Sequence, residues 1–189
     1  KLFYSLFALQ HRGQESAGIT YRKETPEDGT GRLVTYKDLG MVSSVLSHYL
    51  IKPHPSTVGI GHVRYSTHGG NHIENAQPLA AACNKGSVAI AHNGNISNAS
   101  LLNDELSREG SIFQSSSDTE LTLHLLARSR EPDFDSALRQ TLRLLEGAFS
   151  MVMIHEDRLV VLRDPWGFRP LYIGFSEGLT VAASETCAL

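Results

Sequence analysis

Residues 10–18 read QHRGQESAG and decide how this chain folds. Ahead of them, Leu2, Leu6 and Leu9 repeat at helical spacing, and a strand predicted over 17–21 overlaps their end. The stretch therefore sets several polar side chains at a helix-to-strand junction. So much hydrogen-bonding capacity at one junction indicates that the junction faces a functional site.

Working outward from this junction, the pattern predicts an α+β fold. Gly13 is placed to end the opening helix. Strands in consecutive pairs, with helices gathered in two places, predict antiparallel sheets covered by helices in a single domain. The periodicity predicts helices over 42–50, 98–109, from 117 onward and 134–145, and strands over 17–21, 32–36, 58–63, 80–83, 87–91, 150–155, 159–163, 171–175 and 179–183.

Composition narrows the function classes. With 189 residues, the chain has the length of one well-buried domain. A formal net charge of -3 argues against a nucleic-acid surface, which needs clustered Lys and Arg. No apolar run approaches the ~20 residues that span a bilayer. Two cysteines, Cys83 and Cys187, fit a reducing compartment such as the cytoplasm, and we expect both to be buried.

The first polar cluster, GHVRYSTHG at 61–69, follows a predicted strand that delivers Arg64 to its end. The planar guanidinium of an Arg matches a carboxylate with two parallel hydrogen bonds. Thr67 and His68 can add donors to the same anion. The alternative is an Arg in an ordinary surface ion pair.

The second cluster is His92-Asn93-Gly94-Asn95, where we expect a buried strand to break in a tight turn with positive φ. The Asn93 amide and the Gly94 N–H can then point at one spot. Two fixed donors aimed at a developing negative oxygen form an oxyanion hole. A plain Asn-Gly turn is the alternative.

The third cluster, SSSDTE at 115–120, lies at a predicted helix start. Ser117 and Glu120 have the spacing of a capping box, which leaves Asp118 without a structural role. An ionised Asp118 is favoured by the helix dipole and can hold a substrate ammonium. Helix capping alone is the alternative.

Together these clusters specify a ligand with a carboxylate, an ammonium and a reactive carbonyl, as in an α-amino acid with an amide side chain. A nucleophile is missing from the pattern. Ser66, Ser97 and Ser116 have no evident His–Asp relay, and neither cysteine adjoins the clusters. The spacing of residues alone goes no further.

Short strings along nearly the whole chain occur in the same order as in one family, so the chain resembles the glutaminase domain of the amidophosphoribosyltransferases. These enzymes are class II glutamine amidotransferases. The HRGQES form favours this family over hexosamine-phosphate or asparagine synthases. The matching strings are QHRGQESAG at 10–18, GHVRYSTHG at 61–69, AQPL at 76–79, AHNGNISN at 91–98, SSDTE at 116–120, EGAFS at 146–150, RDPWGFRPL at 163–171 and ASETCAL at 183–189.

The resemblance implies an N-terminal-nucleophile hydrolase fold, a four-layer αββα sandwich of two antiparallel sheets flanked by helices. It implies that residues 1–189 form one glutaminase domain, which releases ammonia from glutamine for transfer to phosphoribosyl pyrophosphate in the first step of purine synthesis. The family's nucleophile is an N-terminal Cys whose α-amine acts as base. That Cys segment is absent from the sequence, so we expect the chain alone to be inactive.

Site residues are carried over by position. Arg64 resembles the residue that binds the glutamine α-carboxylate, with Thr67 and His68 lining that end. Asp118, with the Gly94 backbone, resembles the binder of the α-ammonium. The oxyanion hole corresponds to Asn93 and Gly94, and Arg12 resembles a residue that supports the nucleophile's loop.

For this stretch the resemblance implies no cofactor and no metal. A following phosphoribosyltransferase domain, absent from these residues, would bind phosphoribosyl pyrophosphate with Mg²⁺. Some family members also carry an iron–sulfur cluster on cysteines outside the matching region. The resemblance further implies a homo-oligomer as the full-length enzyme, with no membrane or nucleic-acid partner.

Three other hypotheses stay open on the sequence. The chain can be a non-catalytic glutamine-binding module that kept the pocket without the nucleophile. It can belong to another class II amidotransferase, such as a hexosamine-phosphate synthase. A metal hydrolase using His62, His68 and His72 is the third, although these residues lack the compact spacing of a zinc site.

Overall fold

The computed structural model describes residues 1–24, 31–48, 56–65 and 72–189. The elements alternate as the sequence predicts, and most differ from the predicted bounds by a few residues at their ends. In chain order they are α1 (Leu2–Ala8), β1 (Ser16–Glu24), β2 (Gly31–Leu39), α2 (Val42–Val45), β3 (Gly59–Arg64), β4 (Leu79–Cys83), β5 (Gly86–Ile96), α3 (Ala99–Arg108), α4 (Asp118–Arg128), α5 (Phe134–Leu144), β6 (Gly147–His155), β7 (Arg158–Arg163), β8 (Tyr172–Ser176) and β9 (Leu179–Ala183).

The first sheet contains three antiparallel strands in the order β2-β1-β3. Alternate residues of a strand face opposite sides of its sheet. The side chains of Ala17, Ile19 and Tyr21 accordingly share one face of β1 and pack against Leu6 of α1 and Val42 of α2. This apolar layer seats the two N-terminal helices on the first sheet.

The second sheet contains four antiparallel strands in the order β4-β5-β6-β7. One of its faces packs against α3, α4 and α5. The largest apolar cluster in the described residues fills this layer, with members that include Val88, Ile90, Leu102, Leu106, Leu121, Leu126, Leu138, Met151 and Met153.

The other faces of the two sheets meet each other. Ile60 of β3 packs there with Ala89 and Ala91 of β5 and Ile154 of β6. The layers therefore run helix, sheet, sheet, helix, which confirms the four-layer αββα arrangement. A separate two-stranded sheet of β8 and β9 was not predicted.

The predicted ends of the first two helices need correction. The α-helix ends at Ala8, and a 3-10 turn at Gln10–Arg12 follows it. Gly13 has an extended backbone rather than a left-handed cap conformation. The second helix ends at Val45, earlier than predicted, and residues 49–55 lie outside the described ranges.

The prediction that both cysteines are buried is wrong. Cys83, at the end of β4, is half-buried, and Cys187 is exposed because it lies on the surface turn that follows β9. None of the helices in the described part of the chain has both the length and the apolar character that crossing a bilayer requires.

Candidate active site

Arg64 ends β3 beside the QHRGQESAG stretch. Its side chain is only 11% exposed, and its guanidinium lies 3.9 Å from the Glu15 carboxylate. The Glu15 N–H donates to the Arg64 carbonyl at 3.1 Å. A Cβ at Gly13 would come 2.5 Å from the Arg64 carbonyl carbon, so only glycine allows this approach. The close approach of Gly13 to Arg64 thus brings the 3-10 turn onto the end of β3. The ion pair of Arg64 with Glu15 is largely buried, unlike the surface ion pair that was the predicted alternative.

The predicted break at Asn93-Gly94 does not occur. β5 continues to Ile96, and Asn93 and Gly94 pair with Ser150 and Phe149 of β6. Gly94 does have the expected positive φ, at 156°, but inside a strand. The strand stays extended because β6 supplies partners from Val88 to Ile96, which overrides the local preference of Asn-Gly for a turn.

One edge of β5 is left without a neighbouring strand near its end. Within the described residues β4 pairs with β5 only as far as Ile90. Successive N–H groups of a strand point to opposite edges, so those of His92, Gly94 and Ile96 share an edge. The outer two donate to side chains, His92 to Gln77 Oε1 at 2.7 Å and Ile96 to Asp118 Oδ2 at 2.9 Å. The Gly94 N–H therefore lies between these two held positions.

The side chains of Asn93 and His92 point to opposite faces of β5, and that of Asn93 lies on the face that is turned toward the first sheet. Its Nδ2 atom is buried, and it has no hydrogen-bond partner among the described residues. An unpaired buried donor costs about 1–3 kcal/mol, so such groups are rare in folded proteins without a functional reason.

Asp118 begins α4 and reaches across to β5. Its Oδ1 lies 3.4 Å from His92 Nδ1, besides the bond that its other oxygen accepts from Ile96. Burial raises the pKa of this carboxyl, but His92 and the N–H groups of Ile96 and Thr119 together lower it below its ordinary value. The carboxylate is therefore ionised at neutral pH. The expectation that Asp118 has no structural role is wrong, because it holds the end of β5.

The capping pattern also differs from the predicted box. Ser117 is the N-cap and accepts from the Thr119 N–H at 3.3 Å. Glu120 does not return to the N-cap; its carboxylate accepts from the N–H groups of Gln114 and Ser115, at 2.9 and 2.8 Å. It fixes the loop ahead of the helix because that loop folds back over the first turn.

Arg12 extends from the 3-10 turn to the C-terminal end of the chain, where its Nη1 lies 2.6 Å from Glu185 Oε1. His11 binds the other oxygen of the same carboxylate at 2.8 Å. Hydrogen bonds from Arg12 and His11 lower the pKa of Glu185. The structure thus places Arg12 at the junction between the 3-10 turn and the residues that follow β9.

His62 lies two residues before Arg64 and faces the second sheet. Its Nε2 lies 3.1 Å from the His92 carbonyl oxygen, which only accepts, so Nε2 carries the hydrogen. Nδ1 is then a buried acceptor, unpartnered among the described residues. Burial, with the nearby His92, lowers the pKa of His62 to about 4, although the bond to the carbonyl opposes that shift.

A cavity of about 1290 Å³ brings the predicted residues together. Arg12, Arg64, Asn93, Gly94 and Asp118 all line it. It extends between β3, the edge strand of the first sheet, and β9. Two predicted site residues, Thr67 and His68, lie outside the described ranges. The cavity offers a buried cation, an ionised carboxylate and a pair of N–H donors in one enclosure.

Sequence reasoning missed Asn75, Gln77, His92 and Glu185 as contributors to this site. Asn75 and Gln77 are buried beside it. The AQPL string at 76–79 contains Gln77, but no role was attached to it, and Asn75 lies just ahead of that string. In the described ranges no group of three or more His, Cys, Asp and Glu is placed to hold a metal ion. His62 is bonded to a carbonyl, His72 is exposed, and His68 is outside the described ranges.

Comparisons with known proteins show which family the chain belongs to. Residues 62–189 fit a model of the glutamine amidotransferase domain. Amidophosphoribosyltransferase 3, chloroplastic, of Arabidopsis thaliana is 46% identical over 99% of the chain, and amidophosphoribosyltransferase of Methanocaldococcus jannaschii is 44% identical over all of it. The chain spans 34% and 39% of the lengths of these two relatives.

Two solved structures share the fold. Glutamine phosphoribosylpyrophosphate amidotransferase from B. subtilis, in complex with ADP and GMP, superposes with a TM-score of 0.87 at 41% identity over 98% of this chain and 39% of its own. A structure described as the allosteric regulatory enzyme of purine biosynthesis gives a TM-score of 0.89 at 41% identity, over 99% of this chain and 39% of that one. These likenesses confirm the N-terminal-nucleophile hydrolase fold, and the chain belongs to the glutamine amidotransferase domain family.

Proposed function

We propose that the cavity binds glutamine and that the protein hydrolyses its side-chain amide to glutamate and ammonia, as the glutaminase part of an amidophosphoribosyltransferase. Arg64 takes the α-carboxylate, together with Thr67 and His68. Asp118 takes the α-ammonium, with the Gly94 backbone beside it. These opposite charges fix the amino-acid end of the substrate, so the amide projects along the cavity.

The observation that carries the proposal is the unpaired Nδ2 of Asn93, which is buried in the cavity wall. Together with the Gly94 N–H it forms the oxyanion hole of this proposal. A tetrahedral oxyanion satisfies a donor that is otherwise left without a partner. Preorganised donors of this kind are worth about 3–4 kcal/mol each in hydrolases, because they stabilise the transition state more than the ground state.

The nucleophile of this proposal is the thiol of an N-terminal Cys on a segment that precedes Lys1. An extended segment lying between β3 and β9 would pair with both strand edges and enter the cavity beside Arg12. The α-amine takes the thiol proton, and the thiolate then attacks the amide carbon. Ammonia leaves with that proton, and water hydrolyses the γ-glutamyl thioester to glutamate and free thiol.

The rest of the whole protein's chemistry is proposed from the names of the relatives and from the family resemblance of the sequence. The ammonia is transferred to phosphoribosyl pyrophosphate, held with Mg²⁺ by a further domain, to give phosphoribosylamine for purine synthesis. The glutaminase step itself needs no cofactor. We propose that the full-length protein is a homo-oligomer in a reducing compartment, the cytoplasm. The free thiols of Cys83 and Cys187 support the reducing compartment.

The test compares three proteins: the full-length protein, the same protein with its N-terminal Cys replaced by Ser, and residues 1–189 alone. We expect glutamate release only from the first, and we expect thiol alkylation to abolish it. Glutamine binding without hydrolysis by the full-length protein would overturn the enzyme and favour the non-catalytic module. Turnover by residues 1–189 alone would overturn the N-terminal thiol as the nucleophile.

A further inference from the structure

The short segment Asn75–Gln77 contacts both halves of the proposed glutamine site. Gln77 is 6% exposed, and its Oε1 accepts the His92 N–H, which lies next to Gly94 on the same edge of β5. In the register of β4 and β5, Gln77 stands where the next partner of the sheet would be. Its side chain therefore replaces the missing backbone acceptor and holds one flank of the Gly94 N–H.

Asn75, which is 2% exposed, holds the half of the site that contains the Asp118 carboxylate. Its Oδ1 accepts from the Ser116 N–H at 3.0 Å, and its Nδ2 lies 3.0 Å from the Ser116 hydroxyl. Ser116 stands two residues before Asp118. The amide of Asn75 therefore fixes the chain that delivers the carboxylate to the cavity and to Ile96.

The segment is in turn fixed to the first sheet. Lys37 of β2 donates to the Ala76 carbonyl at 2.5 Å. A Cβ at Gly18, the residue opposite Lys37 in β1, would overlap the Gln77 carbonyl oxygen, so the segment lies directly on the sheet. Asn75 and Gln77 thus have a rigid base from which to position the other elements.

We propose that Asn75 and Gln77 are separate positioning residues for the glutaminase reaction, an inference that rests on the proposed function. Gln77 sets the Gly94 N–H, which acts on the oxyanion of the transition state. Asn75 sets the Asp118 carboxylate, which acts on the ammonium of bound glutamine. The two residues are neighbours in one segment, yet they control different steps.

The experiment measures KM and kcat for glutamine in the full-length protein. Asn75→Ala is expected to raise KM about tenfold with kcat within about threefold, because it loosens substrate binding. Gln77→Ala is expected to lower kcat about tenfold or more with KM within about threefold, because it disturbs an oxyanion donor. Ser129→Ala is the matched control, since Ser129 is also buried and donates a side-chain hydrogen bond, to Gln140 at 2.5 Å.

Amide hydrogen exchange provides a readout that does not depend on activity. Gln77→Ala should speed exchange at the His92 N–H, and Asn75→Ala should speed it at the Ser116 N–H. If the parent protein hydrolyses glutamine but both variants change KM and kcat in the same proportion, or leave these amides protected, the inference fails and the proposed function stands. A parent protein that does not hydrolyse glutamine overturns the proposed function itself.

Discussion

The Ile96 N–H donates a 2.9 Å hydrogen bond to the Asp118 carboxylate, which ties the last residue of β5 to the first residue of α4. One carboxylate oxygen is thereby occupied by the backbone, while the other faces His92. Asp118 consequently has a structural role and a proposed substrate role at the same time.

Asp118→Asn separates these two roles. Asn keeps an acceptor for the Ile96 N–H, so we expect the free energy of unfolding to fall by only about 1 kcal/mol. Loss of the charge facing the substrate ammonium should cost about 1.5–3 kcal/mol, or ten- to hundred-fold in kcat/KM for glutamine. Steady-state kinetics of the full-length protein, beside its urea unfolding midpoint, measure both effects.

The control for that variant is Asp133→Asn. Asp133 caps α5 and accepts from the Ser136 N–H at 2.9 Å, and it is not among the residues that line the cavity. Its replacement should leave kcat/KM unchanged. Normal kinetics in Asp118→Asn as well would remove Asp118 from the substrate site.

Arg64→Lys is expected to raise KM for glutamine about tenfold or more in the full-length protein. Lys offers a point charge in place of a planar fork, and the loss of one charge-assisted hydrogen bond is worth about 1.5–3 kcal/mol. The melting temperature should change little, since a Lys still neutralises Glu15. Arg158→Lys, in an exposed pair with Asp135 at 3.1 Å, is the control. A collapsed melting temperature with normal KM in the folded fraction would make Arg64 a structural residue.

The lowered pKa of His62 predicts that the folded protein loses stability in mild acid. Its pKa is about 4 in the folded protein against 6.5 ordinarily, so between these values the unfolded chain binds a proton that the folded chain does not. The contribution of neutral His62 to the free energy of unfolding should therefore be complete above pH 6.5. It should fall by about 1.4 kcal/mol per pH unit toward pH 4, about 3 kcal/mol in all. Urea titrations of the wild type and of His62→Gln, across this pH range, measure the difference.

The neutral amide of Gln can still donate to the His92 carbonyl, so His62→Gln should lack this part of the pH dependence. The exposed His72, changed to Gln, should retain the wild-type slope. Equal slopes for all three proteins would show that the His62 ring accepts a proton without a penalty.

Gly94→Ala is expected to destabilise the fold by about 3 kcal/mol or more. The backbone there has a φ of 156°, and an added Cβ would overlap the Ala148 carbonyl oxygen on β6. Gly110→Ala is the matched control, because Gly110 has a φ of 90° but nothing within 4 Å of an added Cβ. Backbone strain alone should cost the control about 1 kcal/mol. Similar urea midpoints for the two variants would contradict the close approach at Gly94.

Local patterns in the sequence were enough for most of the elements. The spacing of Leu2 and Leu6 predicted α1, and the residue patterns at 80–83 and 87–91 predicted β4 and the first part of β5. The strings around Arg64, Asn93 and Asp118 predicted these three residues as site residues, and all three line the cavity. These features depend on the residue types themselves and on neighbours a few positions away, so they can be read along the chain.

Only the tertiary structure decided how those residues are held. Asn93 and Gly94 stay in a strand because β6 pairs with them, against their local preference for a turn. Asp118 finds its backbone partner 22 residues away, and Arg12 finds Glu185 across 173 residues. Buried polar groups must be paired wherever a partner comes within reach, and that reach is set by the packing of sheets and helices, which no local spacing encodes.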